Sequence, residues 1–160
     1  MEALIERIRS TPGCSVLPPA GPPSVGSGHD LPADLAEFYR LCGGAELFRQ
    51  ALFPVRISTP REFLPSNQVI LGERFEDDIS DSWHIIAHGG GDEYISIDLD
   101  PRRSGRCYDS FHDVHGVAGS DPVIALSFTD LVERLVAAQG GHWYWLEPEF
   151  SGLGDAYDEV

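Results

Sequence analysis

The amino-acid sequence predicts an α+β fold in a single domain, with a central, mostly antiparallel β-sheet meander flanked by helices. Three observations predict it. Residues 83–99, WHIIAHGGGDEYISIDL, are two apolar-rich runs joined by three glycines and an acid, the pattern of a β-hairpin. Before and after this hairpin lie stretches with apolar residues at helical spacing, each closed by a pair of glycines. The chain of 160 residues is also long enough for one hydrophobic core, burying about 70% of the surface its unfolded form exposes.

Leu4, Ile5 and Ile8 form the apolar stripe of a short N-terminal amphipathic helix. Residues 12–29 hold five prolines and four glycines. This composition predicts an extended, irregular connection, and its length predicts that Val16, Leu17 and Val25 anchor it across the core. The next helix has Pro32 in its first turn and Asp34 near its positive end, and Leu35, Phe38, Tyr39 and Cys42 recur at i, i+3, i+4, i+7 before Gly43 and Gly44 stop it. Residues 53–57 read as a strand. Thr59, Pro60 and Glu62 read as a capping box that opens a short helical turn, and residues 67–71 as another strand.

Five acids between 73 and 82 predict an exposed loop by like-charge repulsion and turn propensity. In the hairpin, with strands 83–87 and 93–99, Gly89 to Gly91 permit the sharp reversal because glycine tolerates positive φ. The returning strand alternates Ile95, Ile97 and Leu99 with Tyr94, Ser96 and Asp98, so one face is expected to be buried and the other polar and free. Asp100, Pro101 and Gly105 make a second reversal into a strand at 106–111. Ser127 caps the last long helix, whose stripe is Phe128, Leu131, Leu135 and Val136, and Gly140 and Gly141 end it. The aromatic run HWYWLEPEF that follows is expected to pack back on the domain, leaving 147–160 as an acidic C-terminal end.

Charge separates this composition from that of an ordinary globular protein. There are 26 acids and 11 cations, a net charge of −15, and every cation is arginine. Such an excess argues against direct binding of nucleic acid or an anionic membrane and favours a basic protein partner or solubility. Cys14, Cys42 and Cys107 are odd in number and far apart, which suits neither a secreted disulfide framework nor a paired-cysteine zinc site, so a reducing cytoplasm is the expected compartment. No signal-peptide apolar core follows Met1 and Glu2, and no apolar run is long enough to span a membrane.

Candidate chemistry is sparse. His112 and His115 flank Asp113 and could supply metal ligands, but no HExxH or paired-cysteine element supplies the others. His84 and His88 fall in strand sequence, about 13 Å apart on one face, too far to share an ion. The glycine run at Gly89 could line an anion with backbone N–H groups, yet Asp92 and Glu93 oppose it, and a chain without lysine has no Walker loop. Carboxylate pairs such as Asp92 with Asp98, or Asp77 with Asp81, arise by chance among so many acids, and Cys107 reads as a small buried strand residue rather than a nucleophile. No cofactor, metal or catalytic residue is assigned.

Taken in order, LPADLAEFYRLCGGAELF, the hairpin, GRCYDSF and PVIALSFTDLVERL resemble the SUKH superfamily, in the branch named for fungal cell-wall-assembly regulators and killer-toxin resistance. The resemblance covers nearly the whole chain, 1–160, as one domain. It departs at His88 and Gly90, where relatives tend toward an acid and an asparagine. The resemblance implies an α+β domain. It also implies the role many bacterial members have, that of a non-enzymatic immunity protein which neutralises a cognate toxin, often a nuclease, of a polymorphic toxin system. A regulatory or scaffold interaction domain is the alternative, and a small hydrolase the more distant one. For a basic toxin, the expected partner-binding residues are the acidic loop, Glu76, Asp77, Asp78 and Asp81, and the polar hairpin face with its aromatic anchors, Trp83, Asp92, Glu93, Tyr94, Asp98 and Tyr108.

Overall fold

The structure, a computed structural model, describes residues 1–26 and 28–158. Among these residues there are four α-helices, α1 (Glu2–Ser10), α2 (Ala33–Leu41), α3 (Ser66–Ile70) and α4 (Phe128–Ala138). The seven strands are β1 (Ser15–Val16), β2 (Ala45–Leu47), β3 (Val55–Ile57), β4 (Trp83–Gly90), β5 (Glu93–Asp98), β6 (Cys107–Asp109) and β7 (Val123–Ala125). They form one sheet in sequence order, every neighbouring pair antiparallel, so the meander expected from the sequence runs through the whole sheet.

The helices that the 3.6-residue period marks are where it places them. Leu4, Ile5 and Ile8 of α1, Leu35, Phe38 and Tyr39 of α2, and Phe128, Leu131, Val132, Leu135 and Val136 of α4 join one apolar cluster with Ile57, Ile86, Ile97 and Cys107 of the sheet. Ser127 caps α4 by accepting from the Asp130 N–H at 3.1 Å, satisfying one of the unpaired donors of the first turn. Asp34 joins α2 to α4 by accepting from the backbone N–H of Thr129 at 2.8 Å and from its hydroxyl at 3.0 Å. The described residues of the connection, 12–26 and 28–29, are irregular except for β1 and are fastened where Leu17 exchanges backbone hydrogen bonds with Gly43 and Gly44. Val16 and Val25 pack on the core as expected.

Three expectations are corrected, and two strands are added that the sequence reading did not mark. Residues 67–71 belong to a helical turn, not a strand, because Ser66 and Asn67 are buried in side-chain hydrogen bonds that a strand would not deliver there: Ser66 Oγ to Ser96 Oγ at 2.7 Å, Asn67 Nδ2 to Ser80 Oγ at 2.9 Å, and Asn67 Oδ1 to His115 Nε2 at 2.8 Å. Strands β2 and β7, three residues each, had no alternation long enough to mark them. Part of the exposed loop at 73–82 is a short 3₁₀ helix, Ile79–Ser82, capped by Asp78. Finally, the alternating face of β5 is not free. Ser96 and Asp98 are as buried as Ile97, because a second cluster of Trp83, Tyr108, Val123 and Ala156 covers that side, joined by Ile79, Leu153 and Tyr157. The C-terminal end therefore returns to the sheet, with Ala156 donating its backbone N–H to Asp121 O.

Candidate partner-binding surface

At the base of the hairpin, Asp98 sits among donors. Its Oδ1 accepts from Ser82 Oγ (2.7 Å) and the Asp100 N–H (2.8 Å). Its Oδ2 accepts from Arg103 Nε (2.8 Å), Tyr108 Oη (2.8 Å) and Trp83 Nε1 (3.2 Å). The carboxylate is fully buried, and the arginine paired with it is only 7% exposed. Burial, with the adjacent Asp98 charge, drives the Tyr108 phenol far above its ordinary value, so it stays a donor. Trp83 and Tyr108 pack against each other at 4.4 Å between ring centroids, and neither reaches solvent. Trp83, Asp98 and Tyr108 therefore form a framework that fixes the hairpin base. Their expected place on a free binding face is corrected by the segments that cover them.

The acidic loop divides. Glu76 and Asp77 are exposed. Asp78 caps the 3₁₀ helix, accepting from the Ser80 N–H (2.8 Å) and hydroxyl (2.6 Å) and from Tyr157 Oη (2.9 Å); burial alone would raise its pKa, but these donors prevail and lower it. Asp81 takes a two-pronged hydrogen bond from exposed Arg74, a pair worth little in stability because solvent screens it.

The hairpin tip is a different environment. Two residues of β4, Ile86 and Gly89, stand opposite no residue of β5, and each makes a bulge. At Gly89 the backbone passes so close to another chain segment that a Cβ would lie 2.6 Å from Trp143 Cη2 and 2.9 Å from the Glu93 carboxylate. Here the aromatic run after α4 folds back, as its composition predicted, through a 3₁₀ turn at Tyr144–Leu146. Trp143 stacks on Trp145 at 5.1 Å and meets Phe53 edge-on at 5.3 Å. Trp145 donates its indole N–H to Asp109 Oδ2 at 2.8 Å.

These contacts leave a groove of about 340 Å³, walled by Gly89, Glu93, Tyr94, Ile95 and Asp109 from the sheet, Phe111 and Val114 from the following loop, and Trp143, Trp145 and Leu146. Burial raises the Asp109 pKa, the Trp145 hydrogen bond opposes that rise, and the neighbouring Glu93 charge adds to it. Of the expected binding residues, Glu93 and Tyr94 line this groove, while Asp92 is exposed at the hairpin turn beside it. Asp109, Phe111, Trp143 and Trp145 were missed because they come from separate segments; the aromatic density of HWYW was the only signal.

The residues weighed for metal or nucleophilic chemistry are dispersed. His115 is buried against Asn67, His84 stacks on Phe63 at 5.1 Å between centroids, and His112 is exposed beside Asp113. All three cysteines are free thiols, and burial raises each pKa, most strongly at Cys107. No helix among the described residues is long and apolar enough to cross a membrane. Among the same residues no group of three or more histidine, cysteine or acidic side chains is placed to hold a metal ion.

Comparison with known proteins gives two matches. The model of the SMI1 / KNR4 family (SUKH-1) matches residues 27–134. A protein of Bacillus subtilis (strain 168) named Immunity protein YokJ is 47% identical over 160 residues, spanning 100% of this chain and 97% of that protein. No solved structure matches.

Proposed function

This chain belongs to the SMI1/KNR4 (SUKH-1) family, and we propose that it is an immunity protein that binds and neutralises a cognate protein toxin, acting by docking and not by catalysis. The observation that carries this reading is the end-to-end likeness, at 47% identity, to a protein named an immunity protein. The build of the molecule supports it. The best-placed polar groups inside the fold, around Asp98, are used up in holding the hairpin, whereas exposed acids lie at the hairpin turn (Asp92) and in the loop that precedes β4 (Glu76 and Asp77), and an aromatic groove lies at the tip.

The proposed partner is basic, since a net charge of −15 would draw such a protein in and orient it before contact. Glu76, Asp77, Asp92, Glu93 and Tyr94 are the residues proposed to meet it, with Asp78 and Asp81 adding charge from beneath the loop. The cytoplasm is the proposed site of action. Co-expression tests the reading: cells making the cognate toxin domain should survive only when the chain is co-produced. Death at equal expression, with no complex between the two purified proteins, would favour a regulatory interaction domain instead.

A further inference from the structure

We infer that the groove between the hairpin tip and the Trp143–Trp145 turn is a receptor for an arginine side chain of the partner protein; this deepens the proposed function and rests on it only in naming a protein as the source. Two kinds of surface meet in the groove. Its walls are mainly apolar and aromatic, with Tyr94, Phe111, Trp143 and Trp145 contributing rings, and its polar groups include the carboxylates of Glu93 and Asp109. No arginine or histidine lines it. Asp109 gives one oxygen to Trp145, leaving Oδ1 without a donor among the described residues, and the Glu93 carboxylate has neither a hydrogen bond nor an ion pair among them. These two acids on one wall have no compensating cation among the described residues, the reverse of Asp98.

The chemistry that satisfies both surfaces is a planar cation. A guanidinium stacks its face on an indole or phenol ring and directs N–H groups in its plane toward carboxylate oxygens, whereas an ammonium is a more strongly hydrated point charge that loses more on entering an apolar site. The volume of about 340 Å³ admits one arginine side chain with its aliphatic stem against Ile95 and Leu146. The walls are set in advance: the stacked tryptophans are braced by Phe53 and Tyr144, and Trp145 is pinned by its hydrogen bond, so little side-chain freedom is lost on binding. Phe111 and Leu146, exposed at 40% and 68%, stand at the rim, where the partner's surface would cover them.

The test uses the purified full chain and no toxin, so it stands apart from the immunity reading. The probe is the capped tripeptide Gly-Arg-Gly, followed by tryptophan fluorescence, with the same peptide carrying citrulline, the uncharged analogue of arginine, as comparison. The expected result is a saturable signal with a dissociation constant on the order of 1 mM, suited to a single side chain. Citrulline, and the paired substitution Glu93→Gln with Asp109→Asn, should each weaken binding roughly tenfold or more. Amide substitutions keep the shape of the site, and an unchanged circular-dichroism spectrum and melting temperature would show that the variant is folded. No saturable response to the arginine peptide at tens of millimolar, or equal binding of the citrulline peptide, would overturn the assignment. Failure of the co-expression assay with a positive titration would instead remove the toxin and leave the arginine site standing.

Discussion

The two ends of strand β5 carry acids in opposite circumstances. At the base, Asp98 receives hydrogen bonds from Ser82, Trp83, Asp100, Arg103 and Tyr108. At the tip, Glu93 and the neighbouring Asp109 face an aromatic groove, with Trp145 as their one side-chain donor among the described residues. Among 26 acids, acceptor capacity separates those that hold the fold from those suited to recognition. A carboxylate whose acceptor capacity the chain itself fills is part of the scaffold. One left with spare capacity beside apolar surface is suited to something the chain does not contain.

The largest effect should come from breaking the filled end. Asp98→Ala leaves the buried Arg103 guanidinium with Asp100 as its remaining carboxylate, at 3.3 Å, and removes the acceptor for Trp83 and Tyr108, and the expected loss of stability is about 3–5 kcal/mol. Urea unfolding measures it, and a loss under about 1 kcal/mol would make Asp98 dispensable to the scaffold and end the contrast. Next in size is the tip. Gly89→Ala drives a methyl group into Trp143 and should cost about 1–3 kcal/mol while narrowing the groove. A melting temperature within a degree of wild type would show that the tryptophan wall yields freely.

A third acid, Asp121, is buried without a side-chain hydrogen-bond partner among the described residues. Asp121 lies 3.8 Å from His115 Nδ1, both side chains fully buried, and burial pushes its pKa up to about 7 and that of His115 down to about 4. The raised Asp121 pKa means that the folded state holds the extra proton from about pH 4 to 7, so its contribution falls as pH rises through that window. The depressed His115 pKa has the opposite slope from about pH 4 to 6.5, where the unfolded state holds the proton. Over that interval the two offset each other. Asp121→Asn should remove the first slope, making the variant gain stability from pH 4.5 to 6.5 and exceed wild type by roughly 1–2 kcal/mol at pH 8. Parallel stability curves for the two proteins would mean that Asp121 is already ionised and satisfied in the fold. The smallest effect on stability belongs to the exposed loop. Glu76→Gln with Asp77→Asn should leave unfolding within about 0.5 kcal/mol and slow association with a basic partner at low salt, since exposed charge steers encounter over about a Debye length. An association rate equal to wild type in stopped-flow at low salt would reduce these acids to a solvated turn.

Much of the scaffold was legible because it obeys short periods. The stripes of α1, α2 and α4, the Ser127 cap and the glycine-rich reversal each lie within a dozen residues, and each was readable there. What escaped depended on distant partners. Residues 67–71 look like a strand until Ser96, Ser80 and His115 come to meet Ser66 and Asn67. Asp98 looks like a surface acid until Arg103, Tyr108 and the returning C-terminal end enclose it. The groove was half legible for a similar reason: Glu93 and Tyr94 stand in the hairpin motif, but Asp109 and the tryptophans reach the same place from segments that share no local pattern with it.

If the proposed contacts at the tip hold the partner while Glu76 and Asp77, in the loop that enters the hairpin at its base, only steer its approach, the dissociation rate of the complex with the cognate toxin domain is where the role of the tip shows. Wild type and the Glu93→Gln, Asp109→Asn variant would be compared by surface binding at physiological salt, where long-range charge is screened and desolvated contacts govern residence. Dissociation of the variant is expected to be faster by roughly 30-fold or more, the scale of losing a charge-assisted contact at the centre of an interface, with its unfolding free energy unchanged. A dissociation rate equal to wild type from a well-folded variant would contradict this expectation and place the interface elsewhere on the molecule.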